Sequence, residues 1–409
     1  MRLCLSIAVP LLLGACTPDR VLPVAADSDC CSVRILISVP AATGNVYLTG
    51  NRPEFGPWSP GLYRMQTRGN ERIAELRLPA GTKFEYKVTL GSWNHEAVHT
   101  DGRVLPNFEL TVMGDQVVRH TIERFKPDPI VFIEDSRGSG VQGTLIYWTD
   151  VASEFLGPTR HVSIWLPPGY DVDRQAGYPV LYMHDGQALF DPRLGGMRGD
   201  IWDVDDAIVN LVERDEIPPI IVVGVWNSDE RMVEYSPWHG APDYARFLIE
   251  ELIPRVNAGF NTATGAENTA VMGSSMGGLL SYYLVTFHPE SFGSCGCVSS
   301  AFILSEAIMT QWAPPLADGR EPDDTPYIVR DIESGLRAPG GVRYWFDHGT
   351  MGGDEGYDVS HIAVRKWLLE QGLVEERDFV VRVYEGADHN EAAWRTRLED
   401  PLRFLFGEP

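Results

Sequence analysis

Three side chains in this sequence stand where a nucleophile, a base and an orienting acid would be needed. Ser275 lies in Gly273-Ser274-Ser275-Met276-Gly277, the pattern G-x-S-x-G. The apolar run NTAVM precedes it and GLLSYYLVTFHPE follows it. The pattern therefore falls between a strand and a helix, where a sharp turn exposes a serine hydroxyl at a sheet edge. The flanking glycines let the backbone take that turn and let helix and strand approach closely. The N-terminus of the following helix favours developing negative charge. Ser274 lacks those flanking glycines, and the segment has no Lys or Arg to hold a phosphate.

A serine hydroxyl needs a base, and the base needs a group that orients it. His389, in EGADHNEAAW, follows the strand-like DFVVRVY and begins the turn into a final helix. His361 falls within a helical pattern, His348 at a strand end and His288 at the close of the elbow helix. The acid is expected on GTMGGDEGYD, after VRYWFDH. That loop offers Asp354, Glu355 and Asp358, with Asp347 just before it. Asp354 fits best, far enough past the strand to bend toward His389. Glu355 stays open as an alternative, and the others read as solvated surface acids. One oxyanion amide is expected from Met276, the residue after the nucleophile. The second is expected from Gln187 in YPVLYMHDGQALFD, where Gly186 permits the turn. His184 and Asp185 read as residues that shape that loop.

A competing motif is present. His95-Glu96-Ala97-Val98-His99 matches H-E-x-x-H, in which two histidines one helical turn apart bind zinc and the glutamate acts as base. It follows the strand-like KFEYKVTL and a Gly91-Ser92 break, and runs into Thr100-Asp101-Gly102. Leu105 stands where a longer motif needs its third histidine. The segment reads as a surface turn between strands, and no metal site is assigned.

The elements around these residues divide the chain. Arg2 and LCLSIAVPLLLGA read as an export signal too short to span a bilayer. Leu13-Gly14-Ala15-Cys16 resembles a bacterial lipobox, which implies cleavage before Cys16 and lipid attachment to it. Residues 1–15 are the expected leader and 16–32 a tether. From 33 to 125, SVRILISV, GNVYLTGN, ERIAELRL, KFEYKVTL and QVVRHTIERF predict a small all-β sandwich. Residues 126–140 read as a linker. From 141 to 409, apolar strands such as YPVLYMHDG and PPIIVVGVWN alternate with amphipathic helices such as DVDDAIVNLVER and HIAVRKWLLEQGL. That alternation predicts a mostly parallel sheet covered on both faces.

The 409 residues carry a formal charge of -23, which argues against binding nucleic acid or an anionic membrane through a basic face. Six cysteines make no dense disulfide framework and show no C-x-x-C spacing. Cys295 and Cys297 alternate on GSCGCV and read as small buried side chains on one face of a strand. Trp202, Trp226, Trp238 and Trp312 either line a pocket or pack.

HVSIWLPPGYD, YPVLYMHDGQALFD, IIVVGVWNSDERMVEYSPW, VMGSSMGGLLSYYL and GADHNEAAWRTRL resemble the putative esterase family of α/β-hydrolases. They occur in the family's order over about residues 140 to 405. That family includes feruloyl and acetyl-xylan esterases, S-formylglutathione hydrolases, enterobactin-type siderophore esterases and mycolyltransferases. The resemblance implies an α/β-hydrolase fold and a triad of Ser275, His389 and an acid near Asp354, the acid loop being the least faithful piece. GNVYLTGNRPEFGPWSP and FEYKVTLGSW resemble starch-binding domains of carbohydrate-binding family 20 type. Trp58 matches one sugar-stacking tryptophan of those domains. A second platform is not evident, and Phe108 follows Asn107 where an Arg is usual.

The expectation is an exported, lipid-anchored serine carboxylic-ester hydrolase. It would act through an acyl-enzyme, without metal or organic cofactor, on an acyl ester that is carbohydrate-linked or of siderophore type. Its expected partners are that ester, free or on a polysaccharide, and a membrane through the lipid on Cys16. Two alternatives stay open: an acyltransferase using the same triad, and a carbohydrate-binding protein with an inactive hydrolase domain.

Overall fold

The computed structural model describes residues 30–55, 58–126, 140–195, 200–310 and 321–407. The expected leader with Cys16, the tether as far as residue 29, nearly all of the 126–140 linker, and Trp312 lie outside the described residues; the last three residues of the expected tether, 30–32, instead open the first strand, Cys30–Ser38.

Residues 30–125 form two four-stranded sheets. One runs Gln66–Arg68, Glu71–Pro79, Cys30–Ser38, Gln116–Thr121; the other runs Tyr63–Arg64, Tyr47–Gly50, Lys83–Thr89, Phe108–Thr111. In Glu71–Pro79 every second residue is buried, the two-residue period of a strand with one wet face. Ile35, Ile37, Ala74 and Leu76 of the first sheet share a core with Leu48, Phe84, Tyr86 and Val88 of the second.

The larger domain is an eight-stranded sheet. Its strands are β1 (Thr144–Val151), β2 (Arg160–Leu166), β3 (Val180–His184), β4 (Ile221–Val225), β5 (Thr269–Ser274), β6 (Ser294–Val298), β7 (Arg343–Gly349) and β8 (Phe379–Tyr384). They lie in the order β1-β2-β4-β3-β5-β6-β7-β8. β1 and β2 are antiparallel to their neighbours, and β4 through β8 run parallel. β3, β4, β5 and β6 are buried along their whole length, because helices cover both faces. Val180 and Tyr182 of β3 point into one core with helices α2 (Met276–Phe287) and α3 (Asp358–Glu370). Leu181 and Met183 point into the other, with α1 (Val204–Glu213) and α4 (Glu399–Phe406). β1 was not among the expected strands; it is an edge strand with no fully buried residue before Val151. Cys295 and Cys297 are buried as expected, with their Sγ atoms 3.4 Å apart.

The H-E-x-x-H segment is not helical. Trp93–His95 is one 3-10 turn and Ala97–Val98 is a strand, so His95 and His99 do not share a helix face. The expected surface turn buries its acid: Glu96 bonds Lys87 at 2.8 Å and Lys126 at 2.9 Å. Among the described residues no three His, Cys, Asp or Glu cluster as metal ligands, and no helix is long and apolar enough to cross a membrane.

Candidate active site

Parallel strands point their C-terminal ends to one edge, and the loops leaving β3, β4, β5, β6, β7 and β8 gather there. Ser275 turns the chain from β5 into α2. Its backbone sits at φ 58°, ψ -121°, a region that costs a non-glycine residue about 1–3 kcal/mol. Surrounding hydrogen bonds hold it there: its N–H donates to Val298 O, and its carbonyl accepts from Leu279 and Ala301. A Cβ on Gly273 would stand 2.8 Å from the Gly277 carbonyl carbon, so strand and helix meet at glycine separation.

Asp354, on the turn after β7, is almost wholly buried, and its Oδ1 lies 2.6 Å from His389 Nδ1. Its Oδ2 accepts from Ser299 Oγ and from Gly349 N–H, each at 2.6 Å. Burial pushes the Asp354 carboxyl up, but these bonds and the His389 charge outweigh it and hold the group below the usual carboxylate range. Of the two acids left open, Glu355 is exposed. His389 packs edge-on against Trp394, with ring centroids 5.1 Å apart, and its N–H donates to Asp388. Among the described residues no hydrogen bond joins Ser275 to His389. The elbow and the acid loop are linked through residues 298–301, which bond Ser275 on both sides and carry Ser299 onto Asp354.

The loop after β3 lies against the elbow. A Cβ on Gly277 would stand 3.2 Å from His184 Cβ and 3.4 Å from Asp185 Oδ2. Asp185 is left-handed at φ 58° and starts the 3-10 turn Gly186–Ala188. The Met276 and Gln187 amides both sit in first helical turns, where no intrahelical carbonyl reaches them. Asn227 N–H bonds the Gln187 side chain at 3.3 Å.

Asp185 is clamped by Arg231, at 2.6 and 2.7 Å, and by Asn227 Nδ2 at 2.6 Å. Burial raises its carboxyl, but the Arg231 charge and these bonds prevail and hold it low. His184 is buried without a hydrogen-bond partner on either ring nitrogen, and burial lowers it to about 4, so it is neutral at physiological pH.

Arg231, Asn227, Ser299, Trp394 and Arg397 were not singled out by sequence reasoning. Arg231 sits in IIVVGVWNSDERMVEYSPW, a stretch that carries the family resemblance, but that likeness assigns no role to Arg231. Nothing in its spacing marks a partner 46 positions away. The reading of Asp347 as a surface acid is corrected: it is wholly buried, bonded to Arg397 at 2.8 Å and to Trp345 Nε1 at 2.7 Å. Its position on an interior strand end left it no solvent to face. Trp202 packs against Trp394, and Trp226 donates to Ser163, both buried. Trp238 is half-buried against Tyr327. Trp58 is half-buried on the sandwich, with a left-handed backbone. The sandwich touches this region: Asp229, two residues beyond Asn227, lies 3.4 Å from Ser92 Oγ and 3.5 Å from Trp93 N.

Residues 153–405 match the family described as "Putative esterase", and residues 31–121 match that described as "Starch binding domain". An uncharacterized Bacillus subtilis protein, YbbA, is 22% identical over 275 residues, which is 63% of this chain and 96% of that protein. An endo-1,4-beta-xylanase/feruloyl esterase of Xylanibacter ruminicola is 31% identical over 163 residues, 38% of this chain and 22% of that protein. A solved ferulic acid esterase superposes with a TM-score of 0.50 at 20% identity, covering 65% of this chain and 99% of its own; at that identity the likeness is one of fold.

Proposed function

The chain belongs to the putative esterase family, and we propose that it is a serine carboxylic-ester hydrolase working through an acyl-enzyme. The observation that carries this reading is the 2.6 Å bond between His389 and the buried Asp354, at the same sheet edge as a strained elbow serine. Ser275 Oγ attacks the ester carbonyl carbon while His389 Nε2 takes its proton. The Met276 and Gln187 amides receive the oxyanion; one such donor is worth about 10²–10³ in kcat. When the C–O bond breaks, His389 returns the proton to the leaving alkoxide. Asp354 keeps the other imidazole proton on Nδ1 throughout. Water activated by His389 then releases the acid and restores the serine.

The substrate class we propose is an acyl ester of a carbohydrate or of siderophore type. The match of residues 31–121 to starch-binding domains and the xylanase/feruloyl esterase relative support the carbohydrate-linked form, with Trp58 as a sugar platform. Export and anchoring through lipid on Cys16 complete the proposal.

The test is hydrolysis of p-nitrophenyl acetate, methyl ferulate, acetylated xylan and enterobactin by wild type and Ser275→Ala, with and without chelator. Turnover abolished in Ser275→Ala and indifferent to chelator is expected. Turnover that survives Ser275→Ala would sink the assignment.

A further inference from the structure

Resting on the triad proposed above, we infer that Ser299 is a positioning residue that fixes the Asp354 carboxylate and, through it, the tautomer and direction of His389. Ser299 is wholly buried in the bend after β6 and held at φ 40°. A non-glycine residue keeps such a backbone only where its surroundings over-determine it.

The surroundings of its hydroxyl are complete. A hydroxyl has one proton and two lone pairs. Trp394 Nε1 reaches Ser299 Oγ at 3.0 Å and Arg397 Nη2 reaches it at 2.8 Å. Indole and guanidinium nitrogens only donate, so both lone pairs are taken. The single proton is left for the remaining partner, Asp354 Oδ2, at 2.6 Å. Gly349 N–H donates to that same oxygen at 2.6 Å. With Oδ2 occupied by two donors, Oδ1 faces His389 Nδ1. An ionised carboxylate can only accept, so the imidazole proton stays on Nδ1 and the Nε2 lone pair is free to take the serine proton.

Arg397 does not compete for the catalytic charge, because it is paired with Asp347, which also accepts from Ser299 N–H at 3.3 Å. One hydroxyl therefore ties together the ends of β6 and β7 and the segment that follows His389. The titratable groups around His389 are Asp354, Tyr357 across its ring, Asp388 on its own N–H and Glu391 two residues on.

The test is a double-mutant cycle on the full chain. Ser299→Ala is measured for kcat and KM with p-nitrophenyl acetate, alone and in an Asp354→Ala background. The expected result is a fall in kcat of roughly 10- to 100-fold with KM almost unchanged. In the Asp354→Ala background the same change is expected to cost less than about twofold, because the hydroxyl acts only through that carboxylate. The deshielded His389 Nδ1 proton resonance should shift or broaden in Ser299→Ala. Equal losses in the two backgrounds, or an unmoved Nδ1 resonance, would overturn the inference. Ser299→Cys, with a weaker donor of similar size, replaces Ser299→Ala if that variant does not fold, and is expected to give a smaller loss in the same cycle. Failure of the esterase reading is distinguishable: wild type would then turn over no ester, while the Nδ1 resonance would still report whether Ser299 holds Asp354.

Discussion

Gly186→Ala tests whether the turn after β3 supplies an oxyanion donor. Gly186 has no unusual backbone angle to explain it, and alanine suits a 3-10 turn at least as well. What forbids a side chain is the neighbouring strand. A Cβ at this position would stand 2.5 Å from Gly224 O and 2.8 Å from Val225 N, and nearer still to Gly224 C. Ordinary contact begins at 3.4 Å, so the turn and β4 must separate by about 1 Å, the shortfall of the nearest atom, Gly224 C, from that contact distance. β4 is hydrogen-bonded to β2 on one side and β3 on the other, so the turn is what moves. The next residue is Gln187. A donor must lie at about 2.7–3.1 Å from the oxyanion to act, and losing one costs about 2.7–4 kcal/mol of transition-state stabilisation. The expectation is a fall in kcat of about 10²–10³ with KM nearly constant, since the ground-state carbonyl depends less on that donor. Overpacking should also lower stability by about 1–3 kcal/mol. The assay is steady-state hydrolysis of p-nitrophenyl acetate beside a urea unfolding curve, with Gly340→Ala as control because no atom lies within 4 Å of its Cβ. Wild-type kcat in folded Gly186→Ala, or an equal loss in Gly340→Ala, would refute the reasoning.

Two further outcomes are expected. Glu96→Gln strands Lys87 and Lys126, both nearly buried, without their shared counter-ion; unfolding in urea should show a loss of about 3–5 kcal/mol, whereas zinc held by His95 and His99 with Glu96 as base would instead make wild-type activity sensitive to chelator. Arg231→Met leaves Asp185 buried without its cation, so stability and kcat at neutral pH both fall. Because the folded Asp185 carboxyl is held below its ordinary value, the pair's contribution is complete above the unfolded carboxylate pKa of about 3.9. It is lost as pH falls further, through the folded value. The stability gap between wild type and Arg231→Met should thus be full at neutral pH and close under acid; a gap unchanged under acid would mean the pair does not set it.

Some of this protein was decided by local sequence. A strand buried on both faces must be apolar throughout, so β3 through β6 were visible as runs, and the helices between them as amphipathic stretches. The elbow was visible because a tight strand-to-helix turn needs glycine on both sides of Ser275, and His389 because it heads a turn after a late strand. β1 escaped because its apolar run is only Leu145 to Trp148, and a half-buried edge strand shows no clean alternation of buried and exposed positions.

What the tertiary structure alone decided are the partners. Asp354 and Glu355 are neighbours of like chemistry, and only the bend after β7 turns one inward to His389 and leaves the other in water. Glu96 lies in a zinc-like spelling, but its spelling does not place Lys87 and Lys126 around it. Ser299 reads as an ordinary serine after a strand until Trp394 and Arg397, 95 and 98 positions away, take its lone pairs. Backbone periodicity is a short-range property carried by consecutive residues. The direction of a buried proton depends on donors and acceptors that only the closing of the sheet brings together.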